Sequence, residues 1–160
     1  MVSGAFWGAF DPLTSAHKAI VDTAIKEIEL DRLYIVVNNH PYKNYTYPLE
    51  ERIKAWRSWL DLKGFKQVEL LSQDEAHLWD REALEAKSGQ KIIAIAGYDA
   101  YQRWRAGAKK EALQNFDKIA VVPRGNEPPD LFDENALLLK IPEAYRYVSS
   151  AKVKKDRGDA

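Results

Sequence analysis

Five short runs rich in apolar and β-branched residues, at positions 2–7, 33–37, 68–71, 91–96 and 118–122, are separated by segments whose apolar residues recur at helical spacing. That alternation is the sequence form of successive βαβ units, and therefore of a parallel sheet. Between the first two runs, Ile20, Val21, Ala24, Ile25 and Ile28 share one face, with Asp22, Lys26, Glu27 and Glu29 turned outward. Pro48 suits the first turn of a second helix whose buried stripe is Leu49, Ile53, Trp56 and Leu60. Further helices are expected over about 74–87 and 98–114, the latter interrupted at Gly107, and residues 136–141 can form a last short strand. Trp104 reads as core packing. Right-handed crossovers then predict an α/β architecture: a Rossmann-like, doubly wound parallel sheet of about five strands with helices on both faces.

A chain of 160 residues falls within the size of one domain, here expected to span 1–160. Lys plus Arg and Asp plus Glu both number 24, so no overall positive field exists to hold a nucleic-acid backbone. A small anionic ligand needs only a local cluster and stays open. With no cysteine there can be no disulfide, thiolate catalysis or Cys-type zinc site. No basic leader precedes the first apolar stretch and no run nears the ~20 apolar residues that cross a bilayer, so no membrane partner is expected and the cytoplasm is the expected location.

In open α/β sheets ligands lie beyond the carboxyl ends of the strands, where the unusual residues of this chain fall. The first strand ends in Gly8-Ala9-Phe10-Asp11-Pro12-Leu13-Thr14-Ser15-Ala16-His17, a small-residue turn leading into a helix. Such a turn aims backbone N–H groups and the positive end of a helix dipole at an anion. Taken singly, Thr14 is a helix N-cap and His17 a first-turn histidine. Taken together, they set a hydroxyl and an imidazole beside that anion. Asn38, Asn39 and Lys43 follow the second strand, Gly97 and Asp99 the fourth, and Arg124 the fifth, where a forked guanidinium suits phosphate. Near the end, Ser149 and Ser150 can cap a helix whose N–H groups face an anion, with Lys152 and Lys154 in its first turn.

On these residues the chain resembles the nucleotidyltransferase superfamily, whose mark is a Gly-x-Phe-Asp-Pro-x-(His/Thr)-x-Gly-His turn after the first strand. Gly8, Phe10, Asp11, Pro12, Thr14 and His17 match it, and Ala16 stands where the family usually has glycine. Tyr147-Val148-Ser149-Ser150-Ala151-Lys152-Val153-Lys154 is similar to the second signature, Ile-Ser-Ser-Thr-x-Val-Arg, with Ala151 for threonine and Lys154 for arginine. The resemblance implies that Thr14 and His17 contact the α-phosphate of ATP. Gly8, Ala9, Phe10, Arg124, Ser149, Ser150, Lys152 and Lys154 would surround the rest of the nucleotide, with Mg²⁺ on its phosphates. Asn38, Asn39, Lys43, Gly97 and Asp99 would hold the second substrate.

Asn38-Asn39-x-Pro41, Gly97-x-Asp99 and Arg124 look like nicotinate mononucleotide adenylyltransferases, whereas Leu49-Glu50-Glu51-Arg52 also recurs in phosphopantetheine adenylyltransferases. The expected activity is transfer of AMP from ATP to nicotinate or nicotinamide mononucleotide, with release of pyrophosphate in NAD biosynthesis. Phosphopantetheine or another nucleotidyl acceptor is the enzymatic alternative. The departures at Ala16, Ala151 and Lys154 motivate a non-enzymatic one, an ATP-binding regulatory module.

Overall fold

The computed structural model describes residues 1–107, 111–125 and 129–148. Six strands, β1 (Val2–Gly8), β2 (Arg32–Asn38), β3 (Val68–Gln73), β4 (Lys91–Gly97), β5 (Lys118–Val122) and β6 (Ala136–Leu138), form one sheet in the order β3-β2-β1-β4-β5-β6. Every pairing is parallel. Strand order therefore reverses between β1 and β4, which opens a crevice at their carboxyl ends.

Helices α1 (Ser15–Glu27) and α2 (Leu49–Lys63) cover one face, and α3 (Arg81–Ser88) and α4 (Tyr98–Ala106) the other. The strands alternate accordingly: Leu33, Ile35 and Val37 pack with Val21 and Trp56, while Tyr34 and Val36 pack with Leu84. A strand buried on both sides has no solvent face to encode, so it reads as a continuous apolar run. Each such fully buried side chain contributes about 1.5–3 kcal/mol of transfer free energy.

Three elements differ from the sequence expectation. The sheet has a sixth strand, β6, which stops at Leu138 rather than reaching Ile141. The third helix starts at Arg81, because Asp74 spends its Oδ1 accepting the N–H groups of Ala76 and His77, both at 2.9 Å, and closes a turn there. Asp80 then caps α3 by accepting from the Ala83 N–H at 2.9 Å. The fourth helix ends at Ala106, where Gly107 is extended, and a separate 3₁₀ turn follows at Glu111–Asn115. Pro48 stands one residue earlier than a first-turn proline, as the N-cap of α2. Trp104 packs edge-on against Trp7 with ring centroids 6.3 Å apart, part of the core beneath α4. Among the described residues no helix is long and apolar enough to cross a membrane.

Candidate active site

A cavity of about 460 Å³ opens at the carboxyl ends of β1, β4 and β5, within the range of small-molecule sites. Gly8, Ala9, Phe10, His17, Lys43, Gly97, Asp99 and Arg124, all expected from the sequence, line it. A larger depression at the opposite end of the sheet is lined by Val2, Asp31 and Lys118 and holds none of these residues.

The β1–α1 turn is the most densely bonded part of the site. Phe10 sits in the left-handed region at φ 49, an uncommon conformation for a bulky residue. Its ring explains why it stays there. It fills the space over Gly8, where a Cβ would lie 3.0 Å from it, and packs edge-on against Phe6, His17 and Trp56 at 5.2, 5.0 and 5.0 Å. Asp11 is buried, and its two carboxylate oxygens accept the N–H groups of Thr46 and Tyr47 at 2.7 and 2.8 Å. Ala16 is helical and buried, so alanine carries no conformational cost where the family usually has glycine.

Thr14 caps α1. Its Oγ1 accepts from the His17 N–H at 3.3 Å, while its own N–H donates to His17 Nδ1 at 3.0 Å. This reciprocal capping box fixes the imidazole chemically as well as in space. Nδ1 must keep a lone pair to accept, so the ring proton resides on Nε2, available to the cavity that His17 lines. Burial, with the Arg124 charge adding to it, lowers the His17 pKa to about 4. At neutral pH the site therefore presents a neutral donor beside a helix N-terminus. Thr14, only 4% exposed and turned onto its own helix, does not appear among the cavity-lining residues and positions His17 instead.

Loop 39–48 forms a second wall with Lys43, Asn44 and Tyr45. Asn38 and Asn39, expected to touch substrate, stand behind that wall with their amides engaged. Asn38 Oδ1 accepts from Gln73 Nε2 at 2.7 Å, and Asn39 Oδ1 from Arg52 Nη2 at 2.6 Å. Arg52 is one residue that sequence reasoning missed. It lies on the apolar stripe of α2 between Leu49 and Trp56, and a charge at such a position is the signal for a buried network. Burial pulls its guanidinium below its usual pKa, with the Asp11 carboxylate opposing that effect.

The third wall comes from the ends of β4 and β5. Asp99 Oδ2 pairs with Arg124 Nε at 3.2 Å, both side chains about half exposed, at 54% and 53%. Arg103 and Arg146 also line the cavity and were not anticipated from sequence; the Nε of Arg146 is buried without a hydrogen-bond partner among the described residues. Among the described residues, Lys43, Arg103, Arg124 and Arg146 thus share the cavity with two carboxylates, Asp11 and Asp99, of which Asp11 is already bonded to backbone. The excess positive charge suits a polyphosphate. Ser149, Ser150, Lys152 and Lys154 lie outside the described residues, as does the expected meeting of two helix tips around one triphosphate.

A capped helix N-terminus, a neutral imidazole donor and a ring of cations at the reversal point of a parallel sheet define a nucleotide-handling α/β protein. Comparison with known proteins makes this specific. A sequence model of the cytidylyltransferase-like family matches residues 5–156. The chain is 44% identical over 154 residues, 96% of its length and 82% of the relative's, to the phosphopantetheine adenylyltransferase of Fusobacterium nucleatum. It is 30% identical, over 78% of its length and 72% of the other's, to an Aliarcobacter butzleri protein named as a nicotinate-nucleotide adenylyltransferase. Among solved structures, the nicotinic acid mononucleotide adenylyltransferase of Plasmodium falciparum, complexed with APC, shares the fold with a TM-score of 0.69, covering 96% of this chain and 82% of that one at 14% identity. The chain belongs to the cytidylyltransferase-like family of nucleotidyltransferases. Within that family it is an enzyme of the adenylyltransferase type.

Proposed function

We propose that the protein transfers AMP from ATP to the phosphate of a phosphomonoester acceptor. An oxygen of the acceptor phosphate attacks the α-phosphorus, the bond to the α,β-bridging oxygen breaks, and pyrophosphate leaves. Such displacements need alignment and charge stabilisation rather than a protein nucleophile. The observation that carries the reading is the fixed tautomer of His17. A neutral Nε2–H donor at the N-terminus of α1 can stabilise charge as it grows on the α-phosphate without carrying a positive charge that repels the other cations. Lys43, Arg103, Arg124 and Arg146 then offset the charge of the phosphates.

Mg²⁺ would enter with the triphosphate. Asp11 is committed to two backbone N–H groups and Asp99 to Arg124, and the described residues hold no group of three His, Asp or Glu able to cage a metal ion. This donor set fits an ion carried mainly by substrate phosphates, which is how Mg²⁺ is usually bound. When bound it screens the leaving oxygens.

For the acceptor, 4′-phosphopantetheine is favoured by the 44% identity to a phosphopantetheine adenylyltransferase across nearly the whole chain. Nicotinate or nicotinamide mononucleotide is the second reading, favoured by Asp99 in the first turn of α4, whose half-exposed carboxylate on the cavity wall can accept from ribose hydroxyls, and by the Aliarcobacter relative. Pyrophosphate release from MgATP with each acceptor tests all of this. Release with phosphopantetheine and not with mononucleotides is expected. The reverse pattern assigns the enzyme to NAD biosynthesis, and ATP binding without release for any acceptor overturns the transfer in favour of a nucleotide-binding module.

A further inference from the structure

The nucleotide-side turn and the acceptor-side loop are joined by one side chain. Arg52 is 2% exposed, and its guanidinium donates in four directions. Nη1 reaches the carbonyls of Ala9 at 3.0 Å and Asn38 at 2.8 Å, Nη2 reaches Asn39 Oδ1 at 2.6 Å, and Nε reaches the carbonyl of Tyr47 at 3.0 Å. Its plane lies over the Tyr45 ring, 4.1 Å from the centroid. Ala9 belongs to the turn that carries His17. Asn38, Asn39, Tyr45 and Tyr47 bracket the loop that carries Lys43. The Asp11 carboxylate takes the Thr46 and Tyr47 N–H groups, so the base of the loop is held through both its N–H and its carbonyl groups while Lys43 and Asn44 stay exposed at the cavity.

We propose that Arg52 is a positioning residue of the transfer reaction: it fixes the distance between the Ala9–His17 turn and the Lys43 wall, so that acceptor phosphate and nucleotide meet in line. The inference rests on the transfer reading given above. In-line displacement is sensitive to small misplacements, and a shift of about 1 Å can cost on the order of 100-fold in rate. Lysine cannot substitute. Its ammonium is a point charge with three donors, unable to lie flat on Tyr45 while bridging two carbonyls and reaching Asn39.

The test compares wild type with Arg52→Lys and the milder Asn39→Ala, in the full chain, by amide hydrogen exchange, direct ATP binding and steady-state kinetics normalised to folded protein. In Arg52→Lys the Thr46 and Tyr47 amides are expected to exchange about 10-fold faster or more, while amides in the middle of β1 and β4 stay within about 2-fold. The acceptor kcat/KM is expected to fall by roughly 10–100-fold, with the ATP Kd within about 3-fold. A double-mutant cycle supplies a readout that a merely structural arginine would not move. Lys43→Ala should cost about 10-fold in wild type but under about 3-fold in Arg52→Lys, because Lys43 is already displaced there. Asn39→Ala, which removes one of the four bonds, should show smaller changes in the same direction and decides the matter if Arg52→Lys does not fold. Unchanged exchange at Thr46 and Tyr47, or full additivity with Lys43→Ala, overturns the proposal. Absence of pyrophosphate release by wild type would sink the transfer reading and with it the positioning role, whereas release by wild type with unchanged exchange or full additivity overturns the role of Arg52 alone.

Discussion

Around the β1–α1 turn the polar groups of Asp11, Thr14 and His17 bond to protein and their surroundings are close-packed, whereas beyond the ends of β4 and β5 Arg103 and Arg124 are long side chains with few fixed partners among the described residues. The first wall is preorganised, because reorganising it would break a capping box, a carboxylate–backbone pair and an aromatic cluster together. The third wall, typified by the half-exposed Asp99–Arg124 pair, can rearrange at little cost. In the proposed transfer, rigidity would sit beside the reacting phosphorus, where electrostatic preorganisation matters most, and adaptability where different ligands can be accommodated.

The largest expected effect tests the rigid wall directly. Phe10→Ala removes a ring packed on Phe6, His17 and Trp56 and should lower stability by about 3–5 kcal/mol, read by denaturant unfolding. A loss near 1 kcal/mol would show that the cluster collapses easily and that the two walls are less different than described. Next comes acid. The folded His17 titrates near 4 and the unfolded residue near 6.5, so between those values the unfolded chain holds more protons. Its contribution, roughly 3 kcal/mol, is fully present above about pH 6.5, falls as pH drops toward 4, and levels off below. Stability against pH for wild type and His17→Gln should differ in that window; parallel curves would contradict a buried neutral ring.

In catalysis, His17→Ala should depress kcat by about 10²-fold or more with ATP affinity little changed, whereas an unchanged kcat removes its assigned role. The smallest effects belong to the adaptable wall. Asp99→Asn should change stability by under about 0.5 kcal/mol, since a half-exposed ion pair contributes little. Arg124→Gln should raise the His17 titration midpoint, followed by NMR, yet leave it below the usual histidine value, because burial is the larger cause. A full return to that value would make Arg124 part of the rigid wall.

The parallel sheet was legible in the sequence because strands buried on both faces must read as apolar runs, and helices covering them must carry one apolar stripe. The ends of α3 and α4 were less so. Asp74 reads equally well as a helix starter and as a turn former, and only its bonds to Ala76 and His77 decide between them. For the site, position after a strand identified Gly8, His17, Lys43, Gly97, Asp99 and Arg124 as cavity residues. The same rule brought in Asn38 and Asn39, whose amides turn inward to Gln73 and Arg52, because adjacency to a strand end does not say which way a side chain points. Arg52 and Arg103 escaped notice since a charge on a helix face is by default solvated, and Arg146 because it stands in a turn that no strand end directly precedes.

Because the six named strands run in the same direction, the described residues of the candidate site gather at one rim of the sheet and the amino end of β1 lies at the other. Met1, 95% exposed, stands at the far end of the seven-residue β1, roughly 20 Å from the cleft. A surface linker attached at that point leaves the entrance open, so the enzyme can be immobilised there and assayed in place.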